Sequence, residues 1–394
     1  MKLNYQIGND NGNHEQDIVI NGKMYQFANV YSVVTNSIED EDISAEEMIP
    51  NLLDRLYVTI QSRSINGAHE VFVGKRALED GENVRNMNIK LGKKHKEDLP
   101  LITTLANLAG VAVKETFSKK NKIVKDIEIS VDMTTALPAS QWTKETANEF
   151  SSRFMDTQHL VTVHLGKTDI LVKVNFVFVK TVKEGVVTLF GIIEDEKGKY
   201  RNDDLFDEFS KEYNLGKIDG SYFKDKKILH ADIGDGTSEY AVTTGYKTDG
   251  RTHGRPHGIG HALESAIKKF KEKWDIEVSR QEFAEYVKKE GSKYHPIAID
   301  SLAVAKRELA KTILEELQMT SKDLKHDYDA IVVYGGGSIQ LKDVLYKELK
   351  EFCDSVQVKL LWIDKKYAVT MNARGLEIFT KVALPQFKEK ALQV

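Results

Sequence analysis

Hydrophobic residues occur along the chain in short runs, some alternating with polar residues and some continuous, and these runs predict β-strands. Asn21-Gly22 stands between two such runs and favours the type I′ turn of a tight hairpin. Longer stretches repeat their apolar residues with helical spacing. The predicted strands cover 3–8, 17–20, 23–27, 70–73, 126–131 with its continuation to 134–138, 160–163, 170–177, 186–193, 228–233, 238–243, 330–334 and 356–362. The predicted helices cover 99–117, 142–154, 260–274, 297–319, 341–352 and 371–384.

The order of these elements repeats once along the chain. Each round has a strand, a turn that contains Asp and Gly, a second strand and then helices. The two turns are at 10–13 and 232–237, and no low-complexity linker separates the two rounds. A duplicated mixed α/β pattern predicts two related lobes, with a cleft between them and one loop from each lobe facing it.

Composition narrows the class of protein. The 394 residues are 41% hydrophobic and 29% charged, which is ordinary for a globular protein of two domains or one large bilobal unit. The formal net charge of −4 gives no broad electrostatic reason to coat DNA, so we expect any link to nucleic acid to be indirect. We interpret the basic runs at 90–96 and 119–122 as solvated surface.

Cysteine usage and hydropathy indicate a compartment. Cys353 is the one cysteine, so no intrachain disulfide can form, which fits a reducing cytosol. The N-terminus leads directly into strand-like sequence without the apolar core of a signal peptide, and no window approaches eighteen apolar residues. We therefore expect a cytoplasmic protein without a membrane partner.

The two Asp- and Gly-containing turns have the parts of a phosphate and metal site. Asp10-x-Gly12 follows the first strand, and Asp232-x-Gly234-x-Gly236-Thr237 follows the first strand of the second round. Glycine lets backbone N–H groups approach a phosphate, and a carboxylate holds hydrated Mg²⁺, usually through water. Each turn taken alone is weak evidence, because a plain β-turn with Asp and Gly at favoured positions explains it better.

A third element is the sequence Tyr334-Gly335-Gly336-Gly337-Ser338, between the strand 330–334 and the helix 341–352. A flat group could lie against this bare backbone, and the helix N-terminus favours anions. The sequence is neither a Walker motif nor a dinucleotide-binding fingerprint. The alternative interpretation is a tight crossover, although three glycines in a row cost about 1 kcal/mol each in backbone freedom.

Together these elements resemble the superfamily of actin, sugar kinases and heat-shock chaperones. Its five motifs, named phosphate 1, connect 1, phosphate 2, adenosine and connect 2, are matched in order at 9–13, 131–141, 231–238, 333–338 and 370–375. The sequence departs from the superfamily at Gln16 and Asp17, where a lysine is usual, and at Lys183-Glu184-Gly185, where Pro-Glu-Gly is usual. The resemblance implies an α/β, actin-like fold. It has two related lobes, each a mixed β-sheet flanked by helices, with the nucleotide cleft between them.

Within that superfamily the chain is similar to the ParM type of bacterial plasmid-segregation protein. Its length is close, 71–77 resembles a ParM segment, and connect 1 reads Thr135-Ala136-Leu137-Pro138-Ala139-Ser140-Gln141, with Gln141 at the position of a ParM glutamate. The resemblance places lobe I at 1–195 plus 366–394 and lobe II at 196–365. A chain that crosses twice between lobes forms a hinge, so the nucleotide state can change the contacts between subunits.

The resemblance also implies roles for single residues. Gln141 would orient the attacking water, and Asp232 would organise Mg²⁺ with Asp10 opposite, both through water. Lys306, on the helix 297–319, would contact adenine or ribose, and a solvated helix face is its alternative interpretation. The remaining expected nucleotide-binding residues are Asn11, Gly12, Asn13, Gly234, Asp235, Gly236, Thr237, Gly335, Gly336, Gly337 and Ser338.

The expected function is an ATPase that polymerises with ATP and Mg²⁺ and moves plasmid DNA through a ParR-like adaptor bound to centromeric DNA. GTP is an alternative nucleotide. The partners would be further copies of the chain and the adaptor, without specific DNA binding by the chain itself. A non-polymerising sugar or acetate kinase with the same core is the main alternative, and a scaffold without catalysis is another.

Overall fold

The computed structural model describes residues 1–35, 43–65, 70–87 and 93–391. They divide into two compact units. Unit 1 comprises Met1–Lys183, Glu196–Gly198 and Ala373–Val394, and unit 2 comprises Glu184–Asp195 and Lys199–Asn372. Lys90, in the first basic run, lies outside the described residues.

The strands fall into two sheets, one for each unit. Across the described part of unit 1, nine strands follow the order β3-β2-β1-β7-β9-β8-β5-β6-β4, and in unit 2 the order is β12-β11-β10-β14-β15, with β13 pairing β11. The strands are β1 Lys2–Asn11, β2 Glu15–Ile20, β3 Lys23–Ala28, β4 Tyr31–Val33, β5 Tyr57–Gln61, β6 Glu70–Val73, β7 Asp126–Leu137, β8 His159–Leu165, β9 Thr168–Lys183, β10 Lys227–Ile233, β11 Ser238–Thr244, β12 Lys247–Thr248, β13 His253–Arg255, β14 Ala330–Tyr334 and β15 Lys359–Trp362.

Helices flank both sheets. The longest in unit 1 is α3, whose residues are buried over most of its length, and the longest in unit 2 is α9. The helices are α1 Ala45–Met48, α2 Lys75–Asp80, α3 Leu99–Lys120, α4 Lys144–Met155, α5 Thr188–Ile193, α6 Asp207–Glu212, α7 Ile259–Trp274, α8 Arg280–Lys288, α9 His295–Asp323, α10 Gly336–Ser355, α11 Lys365–Ala368, α12 Met371–Val382 and α13 Leu384–Ala391.

The two sheets begin in the same way. In unit 1, β1 pairs antiparallel with β2 and parallel with β7, and in unit 2, β10 pairs antiparallel with β11 and parallel with β14. In each sheet the first strand of a hairpin therefore lies between its antiparallel partner and a parallel strand. This confirms the predicted α/β class and the predicted repetition of one arrangement.

Most predicted elements are confirmed, with shifted ends. Asn21 and Gly22 have φ of 50° and 88°, as a type I′ turn requires, and β6 and β14 have the predicted bounds. The prediction of a strand at 186–193 is wrong, because Thr188–Ile193 forms helix α5. All six residues of α5 are buried, and a short continuous apolar run does not distinguish a buried strand from a buried helix.

The predicted closing helix 371–384 is two helices. Helix α12 ends at Val382, and α13 starts at Leu384. Pro385 lies in the first turn of α13, where a backbone N–H would have no partner within the helix and its absence costs nothing. Within the described part of the chain, no helix is long and apolar enough to cross a membrane.

Candidate functional site

In unit 1 the β1–β2 hairpin holds the first Asp- and Gly-containing turn. Asp10 and Asn11 end β1, and Gly12 and Asn13 form the turn before β2. The turn is tight, because a Cβ on Gly12 would lie 2.8 Å from the carbonyl oxygen of Glu15. Gly12 and Asn13 are partly exposed. A ligand can therefore reach the backbone of these two residues.

A buried network of amide and hydroxyl groups supports this turn. Asn29 Nδ2 donates to Asn11 Oδ1 at 2.8 Å and to the carbonyl oxygen of Gly12 at 2.5 Å. Thr103, on α3, donates through Oγ1 to Asn29 Oδ1 at 2.9 Å. The side chain of Asn11 is therefore engaged inside the protein, and it fixes the turn instead of pointing outward.

The network continues along β1 and α3. Gln16 Nε2 donates to Asn9 Oδ1 at 2.8 Å and to Thr104 Oγ1 at 2.9 Å, and Asn107 Nδ2 donates to Gln16 Oε1 at 2.7 Å. All four residues are buried. Gln16 stands where the superfamily usually has a lysine, so at this position a neutral amide network replaces a cation.

Asp17, the neighbour of Gln16, is also buried. It lies directly opposite Asp10 in the hairpin. Burial, followed by the charge of Asp10, raises the pKa of Asp17 to about 8, although a hydrogen bond from Gln26 Nε2 to Oδ1 at 2.9 Å opposes the rise. Asp17 is therefore largely protonated at neutral pH, so the hairpin does not carry the full negative charge that its two carboxylates suggest.

In unit 2 the β10–β11 hairpin holds the second turn, which Gly234 N closes by donating to the carbonyl oxygen of Thr237 at 2.9 Å. Asp232, at the end of β10, is buried, and its Oδ2 accepts a hydrogen bond of 2.7 Å from Asn372 Nδ2. Asn372 Oδ1 in turn accepts from the hydroxyl of Thr188 on α5. The carboxylate is thus held in one orientation by a chain of two neutral groups.

The start of α7 supports the second turn from one side. Ile259 N donates to the carbonyl oxygen of Gly234 at 3.0 Å, and Gly260 N donates to that of Asp235 at 2.8 Å. His261 Nε2 lies 3.0 Å from the carbonyl oxygen of Gly236. The Asp235 carboxylate lies 3.5 Å from Arg280, so this side chain has a cationic neighbour within the protein. Three consecutive carbonyl groups of the turn therefore face α7.

The three glycines lie against this second turn. Gly335 has φ of +89°, and a Cβ there would lie 2.5 Å from both Asp232 Oδ1 and the carbonyl oxygen of Ile233. A Cβ on Gly337 would lie 2.7 Å from Ile233 Cγ2, whereas one on Gly336 would meet no atom within 4 Å. The N-terminus of α10 is therefore packed at two glycines and open at the middle one. The hydroxyl of Ser338 donates to the carbonyl oxygen of Gly335 at 2.7 Å and fixes the turn.

Tyr334 ends β14, and its phenol is buried. Its hydroxyl donates to the carbonyl oxygen of Gly185 at 3.1 Å. Burial, followed by the charge of Asp232 and, more weakly, of Glu239 and Glu184, raises its pKa well above the usual value. Negative charge therefore collects in unit 2 around Asp232, where a cation would be favoured.

No group of three metal-ligating side chains close enough to hold an ion occurs among the described residues. Mg²⁺ in nucleotide sites typically retains several waters and uses one or two carboxylates together with phosphate oxygens. The arrangement around Asp232, a single oriented carboxylate beside an open helix N-terminus, fits that mode of binding.

Gln141 lies in the turn that follows β7. Its Oε1 accepts a hydrogen bond of 2.9 Å from the backbone N of Lys94, and its carbonyl oxygen accepts from Thr146 Oγ1 at 2.8 Å. Thr143 caps α4 through its side chain, so Gln141 is not the helix cap.

The interpretation of the first basic run as solvated surface is wrong at Lys94 and His95, which are buried. His95 lies beside Glu149, and Arg153 donates to its carbonyl oxygen. Contacts with α4 therefore exclude these residues from solvent.

Lys306 forms an ion pair on the surface of unit 2. Its ammonium lies 2.7 and 2.8 Å from the two oxygens of Asp343, which joins α9 to α10. A role at adenine or ribose would require this pair to open or the ligand to lie beside it.

Sequence reasoning missed the residues that orient the predicted ones. Asn372 lies inside the matched connect 2 motif, so its motif could have indicated it. Thr188 lies in the segment interpreted as a strand. Thr103 is on α3, 92 positions along the chain from Asn11, and Asn29 lies between β3 and β4, outside the matched motif. Only the unusual number of Asn and Gln residues near 9–16 pointed to an amide network.

The sequence and the structure were compared with those of known proteins. No family model and no curated protein matches the sequence. Solved structures do match. The actin-like protein Alp7A matches at a TM-score of 0.67 and 16% identity, over 99% of each chain. Ta0583, an archaeal actin homolog, matches at a TM-score of 0.64 and 14% identity, over 95% of this chain and 98% of that chain.

ParM of Bacillus thuringiensis, solved with ATP, matches at a TM-score of 0.59 and 15% identity, over 97% of this chain and 99% of that chain. The same protein has also been solved with AMPPNP and with ADP. The matches extend over nearly the whole chain, so they concern the complete arrangement of elements and not a shared motif. The chain therefore has the actin-like fold, and its resemblance to actin-like proteins of the ParM type is confirmed at the level of the fold.

Proposed function

We propose that this protein is an ATPase that polymerises when it binds ATP and Mg²⁺, and that it segregates plasmid DNA in the bacterial cytoplasm. The observation that carries the proposal is the arrangement in unit 2, where the Asp232 carboxylate is fixed by Asn372 beside the open backbone at Gly336. ParM of the same fold has been solved with ATP, AMPPNP and ADP, which supports nucleotide binding by this fold.

The second turn and the glycines would hold the nucleotide. Gly236 and Thr237 would offer backbone N–H groups at a hairpin end, where β- and γ-phosphates can be cradled. Gly234, whose N–H donates to Thr237, would shape the turn that aims them. Gly336, with no atom within 4 Å of a Cβ position, leaves room for the nucleoside at the N-terminus of α10. Mg²⁺, when bound, would neutralise phosphate charge, and Asp232 would hold its hydration shell.

The first turn would contact phosphate through the backbone N–H groups of Gly12 and Asn13, and the carboxylate of Asp10 would bind waters of the hydrated Mg²⁺. The amide network beneath it makes the turn rigid, and a preorganised turn loses little freedom when a phosphate binds. Gln141 would orient the attacking water with its NH₂ group, since its Oε1 is engaged by Lys94. An amide cannot act as a strong base, so slow turnover follows, which suits a filament whose lifetime is set by hydrolysis.

Filaments would carry plasmid DNA through an adaptor protein of the ParR kind, which would bind the centromeric DNA. The charge of −4 favours such an indirect link over contact between the filament and DNA. Copies of the chain would associate through two different surfaces, because heterologous contacts give open helical assemblies.

Sedimentation and electron microscopy test the proposal. Purified protein at tens of micromolar (order of magnitude, for weak to moderate contacts) is incubated with ATP, GTP, ADP or no nucleotide, each with Mg²⁺, while phosphate release is followed. We expect filaments and slow phosphate release with ATP, and no filaments without nucleotide. Nucleotide turnover without assembly under all conditions would instead support a phosphotransferase of the same fold.

A further inference from the structure

Unit 2 carries a cavity of about 250 Å³ that the proposed nucleotide site does not use. It opens between α6, α10, β15 and α11, and we call it the acidic pocket. Among its lining residues five carboxylates stand against one lysine, Lys366. The carboxylates are those of Asp204, Asp207, Glu208, Glu212 and Asp364.

Aromatic rings form part of the wall of the acidic pocket. Tyr346 and Trp362 pack edge to face with ring centroids 5.6 Å apart. Two rings of the pocket already attract ammonium groups of the protein itself: Lys342 Nζ lies 5.6 Å from the Tyr346 ring, and Lys366 Nζ lies 4.9 Å from the Tyr367 ring. Rings and carboxylates together recognise cations, because the ring face and the carboxylate are both negative.

The fold neutralises only part of this charge. Lys366 lies 2.8 Å from Asp204, Lys350 3.5 Å from Glu212 and Lys342 3.9 Å from Glu208. Within the portion of the chain that the structure describes, neither Asp207 nor Asp364 has a cationic side chain within 4.0 Å. Both are exposed, so the acidic pocket presents net negative charge to a partner.

Unit 1 carries a surface of opposite charge at the C-terminal end of α3. Lys119 and Lys120 occupy the last turn, Asn121 ends the helix in the left-handed conformation, and Lys122 follows. All three lysines are exposed, and only Lys119 pairs with an acid, Glu115, in the described part of the chain. We call Lys119, Lys120 and Lys122 the basic helix end.

We propose that the acidic pocket receives the basic helix end of a second copy of this chain. The inference rests on the proposed function, since it names two surfaces through which copies would associate. The two surfaces differ, so each copy offers one to the copy ahead and the other to the copy behind, which is a heterologous contact and can continue into a filament. Exposed ion pairs contribute little singly and are screened by salt, so the contact adds orientation to an assembly that other surfaces also hold.

Charge reversal on each surface tests the contact. Asp207→Lys/Glu208→Lys reverses two charges of the pocket and cancels its excess of carboxylates over lysine, and Lys119→Glu/Lys120→Glu reverses the helix end. All four side chains are exposed, so folding should persist. The matched controls are Glu348→Lys/Glu351→Lys on α10 and Lys268→Glu/Lys269→Glu on α7, which are also exposed and give the same changes in net charge. Assembly with ATP and Mg²⁺ is measured by pelleting at 50 and 200 mM salt.

We expect each reversed variant alone to need a concentration roughly tenfold higher than its control, with the larger effect at low salt. An equimolar mixture of the two reversed variants should assemble again, because each supplies the charge that the other has lost. Reversed variants that assemble like their controls, while the parent forms filaments, would overturn the contact and leave the proposed function standing.

A parent chain that never assembles would overturn the proposed function instead. The contact is then tested directly by sedimentation velocity of the same mixture at low salt. Association of the mixture, with neither variant associating alone, would support the contact, and monomers throughout would overturn it.

Discussion

Asn372 Nδ2 donates to Asp232 Oδ2 across 2.7 Å, which joins the matched connect 2 motif to the matched phosphate 2 motif. The two residues are 140 positions apart in sequence, and both belong to unit 2. Because the amide of Asn372 also accepts from Thr188, it cannot turn without breaking two hydrogen bonds. The orientation of the carboxylate is therefore fixed before any ligand binds, which is the preorganisation that a metal and phosphate site requires.

Substitutions at Asp232 and at Asn372 should both lower the rate of ATP hydrolysis. They should differ in the size of the defect and in how the rate depends on Mg²⁺. Asp232→Ala removes the proposed anchor of the hydrated metal and should reduce the rate by about tenfold or more, corresponding to at least ~1.4 kcal/mol of lost transition-state stabilisation. Asn372→Ala keeps the carboxylate but loses its orientation, so its defect should be smaller and partly restored by higher Mg²⁺. The measurement is phosphate release against Mg²⁺ concentration. Equal release by Asn372→Ala and the parent at every concentration would contradict the orienting role.

Substitutions of Gly335 and Gly336, in the β14–α10 turn, should distinguish an effect on folding from an effect on nucleotide binding. Gly335→Ala should destabilise unit 2 by about 1–3 kcal/mol, because it places a Cβ 2.5 Å from Asp232 Oδ1 at a φ of +89°. Gly336→Ala meets no atom within 4 Å and should leave the melting temperature unchanged or slightly higher.

A larger side chain at the same open position completes the comparison. Gly336→Leu should retain the fold and weaken nucleotide binding, if the nucleoside lies there. The two readouts are thermal denaturation and the affinity for a fluorescent ATP analogue. Unchanged affinity in a folded Gly336→Leu protein would place the nucleoside elsewhere.

Asp17 should make stability depend on pH. Its pKa is about 8 in the folded chain against an ordinary value of 3.8, so between these values the folded state holds a proton that the unfolded state has released. The free energy of unfolding therefore falls as pH rises through this window. Asp17→Asn replaces the protonated acid by a neutral isostere, so its advantage over the parent should grow from pH 5 to pH 9, reaching about 2–5 kcal/mol.

Thermal denaturation at pH 5, 7 and 9 measures this effect, with Asp225→Asn as the control, since Asp225 is exposed. The same stability difference between the Asp17→Asn variant and the parent at all three pH values would show that Asp17 is ionised in the folded protein. The parent's ATP affinity over this range is a second readout, since the hairpin gains a negative charge as Asp17 ionises.

DNA binding by the chain alone should be weak and sensitive to salt, because the net charge is −4 and the sequence has no recognition motif. Fluorescence anisotropy with a labelled duplex at 50 and 200 mM salt measures it. Tight, sequence-specific binding at the higher salt would remove the need for an adaptor.

The parts of the fold that follow from sequence are those with one buried face or a diagnostic turn. The β2–β3 hairpin is predictable because Asn-Gly specifies its turn, and β14 because its apolar run ends at three glycines. The run that forms α5 is apolar after Thr188 and carries no periodicity, so its pattern favours a strand as readily as a helix. Local pattern decides an element only where one face is polar or a diagnostic turn bounds the run.

In the candidate site, too, some residues can be identified from sequence and others cannot. Asp232 and the glycines can be found because their residue types are rare in that order. Asn29 and Thr103 cannot, because they lie outside the motif, and Thr103 is 92 positions along the chain from Asn11. The pKa of Asp17 depends on burial and on Asp10 across the hairpin, and neither is visible in a residue list. Sequence thus indicates which groups can do chemistry, and packing decides which of them are charged, oriented or already engaged.

Gln141 and Glu184 are two candidates for the residue that assists hydrolysis. Gln141 is the residue that its motif indicates, and its Oε1 is engaged by Lys94 in unit 1. Glu184, at the start of unit 2, acts electrostatically on Tyr334, as Asp232 does, so it lies in the same charged environment as the proposed metal anchor. The two roles can be separated, because a residue that orients water affects hydrolysis while nucleotide binding stays nearly intact.

We expect Gln141→Ala to slow phosphate release, to retain ATP affinity and to form filaments that persist longer, since contacts of the ATP state break only after the γ-phosphate leaves. Glu184→Gln is the comparison, because it removes a charge and keeps the shape. Phosphate release and filament lifetime are measured together for both variants and the parent. If Gln141→Ala releases phosphate at the parental rate while Glu184→Gln is slow, Gln141 serves to hold the 93–96 segment against the β7–α4 turn, and the water-orienting role passes to Glu184.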